Sequence, residues 1–163
     1  MSDYYTEQLV KKQTDTKDIV TKVALLMITL LSVLIVFVFP LGLIIPILAI
    51  ILDIIMFRRL NVEYEYLFVN GDLDIDKIMN KAKRKRLFSM NVEDLEILAP
   101  ADAPELRPYQ NIKTKNFCSG SGQAKVYALV RVEKGEMEKI LFEPNDTIIE
   151  GFYMKAPRKV IHR

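Results

Sequence analysis

From Val23 to Phe57 the chain runs through 35 residues whose only charge is Asp53, and on both sides of that run charged and apolar positions mix again. As one straight helix the run would reach about 52 Å, well beyond a hydrocarbon core of about 30 Å. Midway, in FPLGLIIP, Pro40, Gly42 and Pro46 interrupt it, because proline lacks an N–H and clashes with the preceding helical turn. The pattern therefore predicts two membrane-spanning helices, near Ile19–Phe39 and Leu41–Leu60.

After Arg59 the pattern changes to alternation. Val62, Tyr64, Tyr66 and Phe68 fall on one face of NVEYEYLFV and Glu63 and Glu65 on the other, which predicts a strand. Asn70-Gly71 supplies a tight turn and DLDIDKIM the return strand. A reversal near Asn80–Ala82 leads into a third strand through KRKRLFSM, and NVEDLEIL gives a short turn and a strand through Leu98. A helix over Asp76–Leu87 competes, because Lys, Arg and Ala favour one, but the hairpin context favours strands. Pro100, Pro104, Pro108 and NFCSGSGQ predict a long loop from Ala99 to Gln123. AKVYALVRV and EKILFEP form a hairpin turning at Gly135. In NDTIIEGFYMKAP, Asn145 or Asp146 caps a helix whose apolar face is Ile148, Ile149, Phe152 and Tyr153, and Pro157 ends it. The first 22 residues read as an amphipathic or frayed lead-in.

The expected fold class is α+β: a transmembrane helical hairpin followed by a small antiparallel sheet with a C-terminal helix, in the manner of a pleckstrin-homology-like half-barrel. Residues 1–18 form an N-terminal tail, 19–60 the hairpin and 61–163 a cytoplasmic domain. Lys11, Lys12, Lys17 and Lys22 precede the first span, Arg58 and Arg59 follow the second, and the connecting turn carries no charge. That distribution places both termini in the cytoplasm of a two-span cell-membrane protein. A cleaved signal peptide does not fit, since the apolar stretch is too long and no small-residue cleavage site follows.

Charge and composition narrow the partners. Residues 61–163 hold 17 Lys and Arg against 16 Asp and Glu, which is no nucleic-acid excess, and no aromatic residues interleave with the cations as stacking platforms. The single cysteine, Cys118, excludes an internal disulfide. Asp72, Asp74 and Asp76 alternate, but a calcium loop needs Gly and Glu where Lys77 and Lys83 stand. CSGSGQAK lacks the Gly-Lys-Ser/Thr ending of a phosphate loop. Cys118 and His162 are the only candidates for a nucleophilic dyad, and Asn145-Asp146-Thr147 reads as a helix cap rather than a glycosylation acceptor. No cofactor, metal, nucleic acid or small-molecule substrate is expected, and the protein reads as no enzyme.

The densest charge lies in NKAKRKRLFS, with cations at Lys81 and from Lys83 to Arg86. One register of the second and third strands sets Asp76 opposite Arg84 and Asp74 opposite Arg86, which leaves Lys81, Lys83 and Lys85 to join Arg58 and Arg59 in contact with anionic lipid. Asp53, the one acid in the apolar run, lies about one and a half turns before Arg58 and Arg59 and is expected to be satisfied by interfacial pairing or snorkelling.

The segments EYEYLFVNGDLDIDKI, KRKRLFSMNVEDLEILAP, ILFEPND and the ending APRKV, placed after a two-span hairpin, resemble an uncharacterised bacterial membrane-protein family of unknown function. They also look like the wider group of bacterial membrane-anchored domains with a pleckstrin-homology-like fold. The resemblance covers most of residues 20–160. It implies a bacterial membrane location and a fold, with no catalytic residues to carry over. Phosphoinositide-binding domains of that fold use basic residues around their first hairpin loop, where this chain is read as having the acidic VNGDLD. The function expected is a non-enzymatic, membrane-anchored interaction module, binding through a sheet edge, the loop 99–123 or the basic run. A structural subunit of a larger membrane complex, packing through its hairpin, is the alternative.

Overall fold

The computed structural model describes residues 4–161. Its first element is a strand, β1 (Tyr5–Lys11), where the sequence suggests a tail. Helix α1 (Thr16–Val38) follows, then a 3-10 turn (Pro40–Leu43) and helix α2 (Ile44–Leu60). Asp15 and Asp18 close a capping box at the start of α1, satisfying backbone N–H groups that the first helical turn leaves open. The helices lie near the expected positions. Among the described residues, α1 is the one helix long and apolar enough by itself to cross a membrane, and α2 has 17 residues.

The chain then builds β2 (Val62–Val69), β3 (Asp72–Met79), β4 (Lys83–Asn91), β5 (Leu95–Pro100), β6 (Lys113–Asn116), β7 (Tyr127–Glu133), β8 (Glu136–Phe142) and helix α3 (Asp146–Lys155). The strands form two four-stranded sheets, ordered β1-β2-β3-β4 and β5-β7-β8-β6. Asn70 (φ 53°) and Gly71 (φ 110°) make the tight β2–β3 turn, with the positive φ at both central residues that suits the right-handed strand twist. The helical alternative for Asp76–Leu87 is not realised.

Alternation decides the core. Tyr66, Phe68, Leu73, Ile75, Phe88 and Met90 of the first sheet meet Leu95, Leu98, Tyr127, Leu129, Ile140 and Phe142 of the second, and α3 closes the end with Ile148, Ile149 and Phe152. Asn145 caps α3 by accepting from Ile148 N at 2.9 Å, as expected. Gly151 is required where α3 crosses β2. An added Cβ would lie 2.6 Å from ring carbons of both Phe68 and Tyr4.

Three expectations are corrected. Residues 61–163 are not a self-contained domain, because β1 pairs with β2 from Tyr5↔Val69 to Lys11↔Glu63. The helical pair is thus an insertion within the first β-hairpin, and the tail assigned to 1–18 is split between β1 and the start of α1. The stretch 99–123 is not an open loop: Pro104–Tyr109 forms a 3-10 turn, and Ala103 and Leu106 pack with Ala99, Ala128 and Val130. Within the same stretch, β6 adds a parallel edge to β8, so the second sheet is mixed.

Candidate interaction surface at the root of the helical pair

Two hydrogen bonds gather the charged residues. Lys12 N donates to Val62 O at 3.0 Å and Asn80 N to Asn61 O at 2.9 Å, so both helix ends and the β3–β4 turn share one end of the first sheet. Lys81 sits in that turn, and Arg58 and Arg59 occupy the last turn of α2. From there β4 carries Lys83, level with Met79 and Val62, and then Lys85, level with Lys77 and Tyr64. Arg58, Arg59, Lys81, Lys83 and Lys85 are all exposed. Among the described residues, no ion pair reaches Lys77, Lys81, Lys83 or Lys85.

The arginines between them point to the other face and are occupied. Arg86 bridges Asp74 at 2.8 Å and Asp76 at 2.9 Å. Arg84 bridges Glu65 at 2.7 Å, with Asp76 at 3.9 Å. The expected partners do meet, but the register differs: a bulge between Ile75 and Asp76 sets Asp76 opposite Arg86 and Ile78 opposite Arg84. Glu65, on β2, is the acid missed by a two-strand view. Burial pushes its carboxyl above the usual range and Arg84 pulls it partway back. The hydrogen bond that Arg86 donates to Asp76, outweighing burial, raises the arginine further. Asp72 takes the Asn91 amide at 2.7 Å, so all three alternating acids are engaged, Asp74 and Asp76 sharing Arg86.

The helices meet along a seam of small and polar residues. Leu25, Thr29, Ser32 and Val36 of α1, Gly42 of the turn and Pro46, Ala49, Asp53, Met56 and Phe57 of α2 are the less exposed positions, while most of the Leu, Ile and Val side chains around them face outward. Thr29 Oγ1 donates to Asp53 Oδ2 at 2.6 Å, and Ser32 Oγ to Thr29 O at 2.6 Å. Asp53 therefore pairs across the seam, not with Arg58 or Arg59. Its place on the seam side of α2 is what sends it to Thr29.

Cys118 lies half-buried near the root, and burial with the Glu143 carboxylate pushes its thiol up to about 11. That favours an unreactive thiol. His162 lies outside the described residues. The glycine-containing loop that follows is held by buried Glu143, which accepts from Ser119 N at 3.0 Å and Ser119 Oγ at 3.1 Å. Ser119 O in turn accepts from Gln13 N at 2.7 Å. CSGSG is thus a strut between β8 and the segment entering α1. Among the described residues, no cluster of three metal-ligating side chains occurs.

Two interlocked four-stranded sheets closed by a C-terminal helix agree with the family comparison, in which residues 2–162 match the model described as Bacterial PH-like domain (DUF6106). The chain belongs to this family of bacterial PH-like domains. No curated protein and no solved structure matches it. The match takes in β1 and the helical pair as well as the sheets. In this PH-like domain Asn70-Gly71 turns the second hairpin, because β1 and β2 form the first. The acidic VNGDLD is therefore not the first hairpin loop. That position belongs to the helices, flanked by Lys11, Lys12, Arg58 and Arg59.

Proposed function

We propose that this PH-like protein is a non-enzymatic interaction module held at the cytoplasmic face of the bacterial membrane by its helical pair, which spans the bilayer twice. The observation that carries this reading is the inverted polarity of the helices. Their seam holds Thr29, Ser32, Gly42, Ala49 and Asp53, and their outer faces hold bulky apolar side chains such as Leu26, Leu30, Leu34, Ile47, Ile51 and Ile54, each roughly half exposed. A water-soluble helix pair buries its apolar stripe, whereas helices in lipid approach through small residues and satisfy polar groups inside the seam. The insertion within one β-hairpin supports a same-side placement of both helix ends, since Lys12 and Val62 are hydrogen-bonded neighbours. Ala24 apart, the outward positions of α1 from Val20 to Leu31 are bulky, which favours lipid over a closely packed third helix.

The reading extends to the root. Arg58, Arg59 and Lys81 contact anionic headgroups, each basic residue adding about 1 kcal/mol near such a surface. The test of the anchor is labelling of single cysteines in a Cys118→Ser background with a membrane-impermeant thiol reagent on intact cells. Leu43→Cys, at the helix junction, is expected to label from outside, and Asp102→Cys, in the sheet domain, only after lysis. Protection of both sites in intact cells, or loss of the protein from the membrane on alkaline extraction, overturns the two-span reading.

A further inference from the structure

Four sheet edges end the two sheets; the chain's own backbone closes that of β5, and the Gln8 side chain ties down that of β1. Beside β1, Gln8 Nε2 donates to Glu143 O at 2.8 Å and Gln8 Oε1 accepts from Asn145 N at 2.7 Å. Beside β5, Leu98 N donates to Lys159 O and Ile161 N to Leu98 O, each at 2.8 Å. The β6 edge is four residues long, and its Lys115 turns to Glu138 at 2.8 Å. That leaves β4. Its far half is engaged where Arg131 Nη1 donates to Ser89 O at 3.0 Å, but among the described residues no backbone hydrogen bond outside the β3 ladder reaches residues 83–88.

Along that open stretch the charges separate by face. Arg84 and Arg86 are consumed by Glu65, Asp74 and Asp76. Lys83 and Lys85, at alternate positions, share the opposite face with Lys77, which stands directly across from Lys85. Like charges directly opposite on paired strands are destabilising, and none of these three lysines has an acidic partner among the described residues. Lysines on an edge also discourage pairing with a second copy of the same edge. We infer that the Lys83–Phe88 edge of β4 takes up an extended acidic segment of a partner protein as an added strand, its backbone completing the ladder and its alternate carboxylates lying over Lys77, Lys83 and Lys85. Strand addition draws affinity from the backbone and specificity from alternate side chains, and this edge offers both. A headgroup phosphate would meet the lysines but leave the backbone edge unpaired.

The inference rests on the membrane-anchored reading only for placing the partner beside a bilayer, so it is tested separately from topology, with the full chain in non-ionic detergent micelles. The probe is a short fluorescent peptide with glutamate at every second position and valine between. Its anisotropy is expected to report salt-sensitive binding, weakened at least about tenfold in Lys83→Gln/Lys85→Gln and unchanged in Lys81→Gln. Amide exchange in residues 83–88 is expected to slow when the peptide is bound. Equal binding by the double variant, or equal binding of a backbone N-methylated peptide, overturns the proposal. It is also overturned if phosphatidylglycerol in the micelle slows exchange at 83–88 as the peptide does and abolishes peptide binding, which would assign the lysines to lipid.

Discussion

Replacing Gly151 by alanine sets two terms of known sign against each other. Alanine is favoured over glycine in a helix interior by about 1 kcal/mol, and at an exposed site in α3 the change would raise stability. Here the new Cβ would lie 2.6 Å from Phe68 Cε1 and Tyr4 Cε1 and 2.9 Å from Phe68 Cδ1. Carbon atoms pack at about 3.5–4.0 Å, so each ring must retreat by about 1 Å. Tyr4 is only half-buried and has room to swing, but Phe68 is fully buried, with Phe152 at 4.7 Å between ring centroids and Tyr4 at 5.9 Å. Overpacking of this kind costs about 1–3 kcal/mol, and the absence of an escape for Phe68 places the cost in the upper part of that range. The expected net effect of Gly151→Ala is a loss of about 1–2 kcal/mol, or roughly 2–8 °C in Tm for a chain of this length. Thermal unfolding of the full chain in nanodiscs, followed by near-UV circular dichroism, reads it. Tyr4→Ala in the same background is expected to cost less than it does alone, because it removes one of the two clashing rings. A rise in Tm for Gly151→Ala would mean that helix propensity wins and that the close approach of α3 to β2 is not as described.

Other predictions address the inserted helices and the thiol. Replacing residues 13–61 by Asn-Gly, which joins Lys12 to Val62 across a two-residue turn, is expected to give a water-soluble, cooperatively unfolding domain; insolubility of that chain would argue against the insertion topology. A fragment beginning at Asn61 lacks β1 and is expected to aggregate through the bare edge of β2, as light scattering would show. Thr29→Val is expected to weaken helix pairing by about 0.6 kcal/mol and at most about 1.7, read as a lower midpoint in denaturing detergent, with Leu30→Val as an outward-facing control that leaves it unmoved. Cys118 should alkylate with an apparent pKa of about 11, against 9.0 for an unperturbed thiol. Because the folded value is the higher one, this group's contribution to stability is complete below about pH 9 and is lost as pH rises through about 11. Alkylation at pH 8 as fast as in the unfolded chain would refute the burial.

Much of the sheet domain is legible in the sequence because its signals are local. Val62 to Phe68 alternates, Asn70-Gly71 turns, and Asn145 stands one residue before a helix with an apolar face. What escapes is fixed at long range. Only Val10 of β1 is buried, so the strand has almost no alternation to read. Its place comes from backbone pairing and from Gln8, whose partners Glu143 and Asn145 are more than a hundred residues away. The Lys-Thr-Lys-Asn of β6 is polar throughout and joins the sheet by a parallel ladder with β8. The shift between Asp76↔Arg86 and the simpler register comes from a bulge after Ile75, which a two-residue period does not encode. At the candidate surface, the residue types were readable and their division was not: Arg84 finds its close partner only because Glu65 arrives from a third strand. The helix seam is spelled out by Thr29, Ser32 and Val36 at helical spacing, but hydropathy averages such residues into their bulky neighbours.

The placement of the helices inside a β-hairpin sets an order of events during synthesis. Tyr4 N bonds to Asn70 Oδ1, 66 residues further on, so β1 leaves the ribosome well before its partner strand exists. Everything between them must be threaded and paired first. Once α1 and α2 lie side by side, Lys12 and Val62 are already neighbours, and closing the first sheet costs far less entropy than closing a flexible loop of that length. The helical pair thus serves as the turn of the hairpin it interrupts, and a chain whose helices fail to pair leaves β1 adrift and β2 with a naked edge. Pairing of the two helices and completion of the first sheet thereby become a single event.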